Sequence, residues 1–255
     1  MKKPITIKNL NRLNWIAAGL HLAQAAAVVL LAKDFRLPVT IPYLVFNPVT
    51  QGLDTATHQL GEVPLAPLVA LFFALSAVAH YTIATVYHRQ YEAGLHNGIH
   101  RARWIEYSLS ASVMRVAIAL LVGVYDAPSL GMIFALTTGM NLMGLVMEVH
   151  NQTTKRVNWL SYWIGCLLGA VPWLVVGAYF VAAAAYGSKP PAFVYWIYVS
   201  IFAFFNAFAI NMVLQYRKTG PWKDYLYGER VYIVLSLVAK SLLAWQVFAG
   251  TLRPN

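Results

Sequence analysis

The chain has 255 residues, 59% of them apolar and only 11% charged, and carries a formal net charge of +10. About a quarter of the residues of a soluble domain are charged, so an ordinary soluble protein is excluded and most of this chain is expected to lie in lipid. The positive charge is no sign of nucleic-acid binding, because the basic residues cluster in loops between apolar runs, as membrane topology arranges them.

The N-terminal stretch MKKPITIKNLNRLNW has no short apolar core followed by a cleavage site and is read as carrying no removable signal peptide. Seven apolar runs follow: Leu10–Leu31, Pro64–Tyr87, Leu95–Val124, Pro128–Val149, Trp159–Ala182, Pro191–Tyr216 and Glu229–Leu252. Each is near or above the roughly 20 residues that a membrane-crossing helix needs. Pro64, Pro128 and Pro191 stand at span starts, where proline is tolerated. Pro172 lies inside the fifth span and is expected to kink it. The longest loop, Ala32–Val63, contains Phe35–Val49, in which β-branched and aromatic residues alternate with Pro38, Pro42 and Pro48. That stretch is read as a short, proline-interrupted β-hairpin, with an irregular loop as the alternative. Cys166 is the only cysteine, so no disulfide forms within one chain. No zinc motif, Walker loop, dinucleotide fingerprint or nucleophile elbow occurs, and the chain is not read as an enzyme. There is no internal repeat, and the whole chain, 1–255, is read as one all-α domain, a seven-helix membrane bundle.

Charge sets the expected orientation. With the N-terminus inside, thirteen Lys and Arg fall on inner segments and four on outer ones. The excess of basic residues on cytoplasmic loops then places the N-terminus in the cytoplasm and the C-terminus outside a cell membrane.

The seventh span carries Lys240 near its middle. A lysine at that depth costs roughly 2.5–3.5 kcal/mol on insertion scales, so it needs a partner and a purpose. Counting about 1.5 Å per residue from the outer ends, the Lys240 nitrogen and the Glu106 carboxylate both lie about 20 Å down. No other acidic residue reaches that depth. A buried lysine facing one buried carboxylate is either a structural salt bridge or a nucleophilic amine held for imine formation, with the carboxylate balancing the cation. Ser236 lies one turn from Lys240 and Ser110 one turn from Glu106, each able to hydrogen-bond the pair. His21 and His80 are the other titratable groups deep in the first two spans, and they favour a polar cavity able to accept a proton. Arg115, in the outer half of the third span, has no evident partner.

Three strings carry a family resemblance: RWIEYSLSAS at Arg103–Ser112, SLVAKS at Ser236–Ser241, and an Asn141 followed by MEVH ending at His150. With seven spans and a cytoplasmic N-terminus, the chain resembles the heliorhodopsins, a branch of the microbial rhodopsins, over essentially its whole length. The resemblance implies all-trans retinal as a Schiff base on Lys240, with Glu106 as its single counterion and Ser236 beside it. It implies that His21 and His80 form a proton-accepting cavity on the cytoplasmic side. It puts Arg103 and Glu148 in an inner polar network, and Asn141 and Trp163 against the retinal. It further implies a homodimer and a structured loop between the first two spans.

The same residues argue for light sensing rather than pumping. One carboxylate lies at chromophore depth, Ser236 stands where the resemblance would put a pump's second carboxylate, and Ala117 stands where a proton donor would fall. The expected protein is therefore a photoreceptor without ion pumping that signals to an unidentified cytoplasmic partner. A light-gated proton channel is the alternative.

Overall fold

In the computed structural model the described residues are 5–187, 189 and 191–254. Eight α-helices and one β-ribbon follow the order α1 (Ile7–Leu31), β1 (Arg36–Asn47), β2 (Gly52–Pro64), α2 (Leu65–Ala84), α3 (His88–His96), α4 (Arg101–Leu121), α5 (Ala127–His150), α6 (Leu160–Tyr186), α7 (Ala192–Tyr216) and α8 (Tyr225–Val247). All but the nine-residue α3 are long and apolar enough to cross a membrane. A bilayer offers no water to unsatisfied backbone groups, so spanning segments that close their own hydrogen bonds are what this composition allows.

The ends of the helices follow local chemistry. Thr6 caps α1 by accepting from the Asn9 amide at 3.2 Å. Asp126 caps α5 through the Ser129 amide at 2.9 Å, with Pro128 in the first turn. Asp224 caps α8 through the Leu226 amide at 2.9 Å. Each such cap contributes about 1 kcal/mol. The third span begins later than its composition suggests, because the His- and Arg-rich stretch folds separately as α3. Gly98, at φ +67°, supports the turn that separates the two helices. The sixth helix runs unbroken through Pro172.

The helices close into a ring in which α1 packs on α2 and α8, α2 on α4, α4 on α5, α5 on α6 and α7 on α8. Between α6 and α7 the joint is aromatic: Trp173 meets Tyr198, Phe202 and Phe205 edge-on at 5.2–5.7 Å between centroids. Helix α4 is the most enclosed span, touching α6 and α7 as well. Its inward residues from Val113 to Leu120 join one apolar core with Phe72, Phe73, Ile197, Ile201 and Leu243. Large apolar residues such as Leu30, Val86 and Leu174 stay exposed on the outside of the ring, where lipid would cover them.

The loop after α1 is a β-hairpin, but a longer one than expected. Phe35–Val49 supplies only the first strand and part of the turn, and the second strand extends to Pro64. The two strands pair antiparallel from Arg36–Pro64 to Asn47–Gly52, with a register shift at Val39/Thr40. Pro38 and Pro42 sit on an edge of this two-stranded ribbon, where a missing N–H is tolerated. The Thr40 amide donates to the Tyr125 carbonyl at 2.9 Å and the Lys33 amide to the Leu252 carbonyl at 2.8 Å, tying the ribbon to the end of the bundle.

Candidate functional site

Lys240 and Glu106 meet inside the bundle. The face of α8 that carries Glu229, Tyr232, Ser236 and Lys240 is buried, and it faces the Arg103, Glu106 and Ser110 face of α4. Lys240 is 4% exposed and Glu106 7%. The Lys240 Nζ donates to Glu106 Oε1 at 3.1 Å and to Ser236 Oγ at 2.6 Å. Burial makes this pairing obligatory for both charges, since an uncompensated ion in the interior costs about 3–5 kcal/mol. Ser76 completes the carboxylate's shell by donating to the same Oε1 at 2.6 Å. Ser110, expected to do this, is fully buried but its Oγ has no hydrogen-bond partner among the described residues. Ser76 takes the role because α2 crosses α4 at this level.

His21 and His80 stack at 5.6 Å between ring centroids, and both are buried. His80 Nδ1 donates to Asn14 Oδ1 at 2.7 Å, whereas both His21 nitrogens lack a partner among the described residues. Asn14 and Ser76 are not among the residues the sequence singles out. Asn14 precedes His21 by seven residues and Ser76 precedes His80 by four, so each lies on the same helix face as a residue already singled out.

Toward the end of the bundle that carries the N-terminus lies a second, denser polar cluster. Arg103 bridges the Glu148 and Glu229 carboxylates with one nitrogen to each. Glu148 also accepts from Trp104 Nε1 at 2.8 Å, from the His100 amide at 2.9 Å and from the Tyr225 hydroxyl at 3.2 Å. His100 Nδ1 lies 2.8 Å from Glu229 Oε2. Burial pushes the nearby Tyr91 phenol up to about 12 and pulls the His100 imidazole well below its ordinary value, with Arg103 adding to the second effect. Of this cluster the sequence singles out Arg103 and Glu148 but not Glu229 or His100. Glu229 lies seven residues before Ser236 and eleven before Lys240, on one face of α8, which was the available signal.

On the other side of Lys240 a cavity of about 290 Å³ runs between α4, α5, α6, α7 and α8. Its walls are almost wholly apolar and aromatic, with Trp104, Tyr107, Trp173, Phe202, Phe205 and Phe208 prominent, and Lys240 and Ser236 stand at its edge. Asn141 is among the residues lining it. Trp163 is not: it is 66% exposed and points away from the bundle, while Tyr162 and Cys166 of the same helix face inward. That corrects the placement of Trp163, whose helical phase puts it on the lipid side of α6.

Arg115 is fully buried, and none of its three guanidinium nitrogens has a hydrogen-bond partner among the described residues. Its guanidinium lies over the rings of Trp173 at 4.1 Å and Phe205 at 4.5 Å. Both rings also wall the cavity.

An apolar slot ending on a buried amine, with one hydrogen-bonded carboxylate to balance a cation, is the chemistry an aldehyde with a long hydrocarbon tail requires. The residues present fit such a group.

Comparison with known proteins agrees with this geometry. The family model described as Heliorhodopsin matches residues 10–252. No curated protein matches the chain. Among solved structures, the crystal structure of a light-driven proton pump, LR (Mac), from Leptosphaeria maculans superposes with a TM-score of 0.67 at 15% identity, over 94% of this chain and 93% of that one. At that identity the likeness shows a shared microbial rhodopsin fold.

Proposed function

The chain belongs to the heliorhodopsin family, with 243 consecutive positions, residues 10–252, matched by its model, and on that premise we propose that it is a light sensor that binds all-trans retinal on Lys240 and does not pump ions. The observation that carries this reading is the placement of Lys240 at the edge of an aromatic cavity, with Glu106 the one carboxylate bonded to it. Joined to Lys240 as an imine, retinal supplies light absorption and isomerisation.

The chain's own residues supply the rest. Glu106 Oε1 and Ser236 Oγ hold the positive charge at Lys240 Nζ, and Ser76 keeps the Glu106 carboxylate turned toward it. Tyr107, its ring centroid 5.2 Å from Lys240 Nζ, donates its hydroxyl to the Tyr232 carbonyl at 2.9 Å and so fixes the wall beside the amine. His21 and His80 offer ring nitrogens that can accept a proton leaving Lys240 by way of Glu106. Movement of α4 and α8 would then alter the segment Tyr216–Arg230, where we place the signal to a cytoplasmic partner. This rests on the orientation given by the basic residues, with the N-terminus in the cytoplasm and the C-terminus outside. We read the chain as a homodimer, as the family resemblance implies.

The absence of pumping is supported by the hairpin side of the bundle. From Val113 to Leu120, α4 carries no carboxylate, and Ala117 is fully buried in the apolar core. A proton path there would need polar groups that hydrocarbon penalises by several kcal/mol each. Arg115, the one charged residue of α4 between Val113 and Leu120, is the feature favouring a light-gated proton channel, and its packing against two aromatic rings places that reading second. Voltage-clamp recording under illumination tests the proposal. No sustained current is expected at any holding potential. A steady current without a driving gradient would make the protein a pump, and one that follows the proton gradient would make it a channel.

A further inference from the structure

The cluster around Arg103 is one positive charge short. Glu148 and Glu229, 2% and 0% exposed, both bond to Arg103, which is 4% exposed. Among the described residues the remaining basic group in direct contact is His100, also 4% exposed, whose Nδ1 is taken by Glu229 and whose Nε2 has no partner. The groups facing His100 are Tyr91 from α3 at 4.7 Å between rings, Arg103 from α4, Glu148 from α5, Glu229 from α8, and His80 from α2 across a small void. With a neutral imidazole, two carboxylates face one guanidinium.

That void joins the two polar sites. It measures about 10 Å³ at the centre of a water-sized sphere, about the room one water needs. Its walls include Glu106 and His80 from the Lys240 site and His100 and Arg103 from the inner cluster. The free nitrogen of each histidine ring is Nε2, since both Nδ1 atoms are committed to Asn14 or Glu229.

We propose that the His100–Glu229 pair is the resting place of the proton that leaves Lys240 after illumination, reached from Glu106 across this void. The inference rests on the retinal reading given above. In the transfer the N–H bond at Lys240 Nζ breaks and an O–H bond forms on Glu106. That bond breaks in turn as an N–H bond forms at His100 Nε2. His100 becomes an imidazolium with its Nδ1–H still on Glu229. The inner cluster passes from one net negative charge to neutral while the Lys240 site passes from neutral to one net negative charge. Total buried charge is unchanged, so the proton can return, and no proton need appear in the water on either side. His80, stacked on His21, lines the void, so these rings can take the proton in passing while the His100–Glu229 pair holds it at rest.

Full-length protein with 15N-labelled histidine rings, in lipid, tests this by solid-state NMR in three states: without retinal, with all-trans retinal in the dark, and trapped cold under light after the pigment has lost its proton. His100 is expected to be neutral in the first two states and an imidazolium in the third. His100→Asn and Glu229→Gln should each abolish that light-induced signal while pigment still forms. The two variants cover for each other if one fails to fold, and the unaltered protein's light-minus-dark spectrum needs neither. An imidazolium at His100 in the retinal-free or dark protein would refute the charge count. A light-induced imidazolium that survives His100→Asn, or none at all, would overturn the inference while leaving retinal binding intact. Failure of the unaltered protein to form pigment would overturn the retinal reading and this inference with it.

Discussion

At the scale of single residues, the site is an exercise in keeping buried charges paired. Lys240 and Glu106 hold each other at 3.1 Å, and removing either partner strands the other. Glu106→Gln in the retinal-free protein is expected to lower stability by about 3–5 kcal/mol, read as a fall in the thermal midpoint in detergent. In the pigment the same change should shift the absorption maximum and make the colour titrate over a lower pH range, because the proton on Lys240 is held less firmly. An unchanged spectrum and titration would remove Glu106 from its role. Arg115 poses the opposite case, a buried cation with aromatic faces but no hydrogen-bond acceptor among the described residues. Cation–π contact contributes about 2 kcal/mol when desolvated, less than the several kcal/mol that burying an ion costs. Arg115→Met is therefore expected to leave the thermal midpoint unchanged or raise it, and a marked fall would show that the guanidinium has a stabilising partner. Lys240 and Glu106 were legible in the sequence because charge is scarce in these spans and a common rise per residue sets depth. Ser76, Asn14 and His100 were not singled out, because serine, asparagine and a loop histidine are too common to stand out until a fold shows what they touch.

At the scale of elements, α4 organises the site, since its successive turns present Arg103 to the inner cluster, Glu106 to Lys240 and Arg115 to the aromatic joint. Its closeness to α5 depends on Gly144, where an added Cβ would run into the Trp104 ring. Trp104 cannot give way freely, because its Nε1 donates to Glu148 at 2.8 Å and its ring walls the cavity. Gly144→Ala should cost about 1–3 kcal/mol through overpacking. It should also move the pigment's absorption maximum, and normal stability with an unchanged spectrum would contradict the packing described. Helix existence was legible from apolar length alone, but helix phase was not, which is why Trp163 falls on the lipid side. The hairpin was legible in its first strand, where prolines and β-branched residues stand out. Its second strand, Gly52–Pro64, contains Gly, Asp, Thr, His, Gln and Glu, and has no such signal.

At the scale of the whole molecule, the bundle separates a polar half from an apolar one. Lys240, the stacked histidines and the Arg103 cluster lie together toward one end, and the other end is closed by apolar residues and the β-ribbon. That asymmetry favours a proton moving within the protein over one crossing it. Orientation in the membrane and dimerisation belong to the same scale. A cysteine-reactive, membrane-impermeant label on a Thr50→Cys variant in intact cells should mark the hairpin as external, and protection from label would reverse the topology.

The account stands or falls on the amine of α8 and the slot beside it. The most direct measurement is the visible absorption spectrum of purified protein after addition of all-trans retinal, with Lys240→Ala beside it. A coloured pigment in the first that bleaches with hydroxylamine, and only the spectrum of free retinal in the second, is the predicted result. A colourless first sample, or a pigment that survives loss of Lys240, would contradict the account.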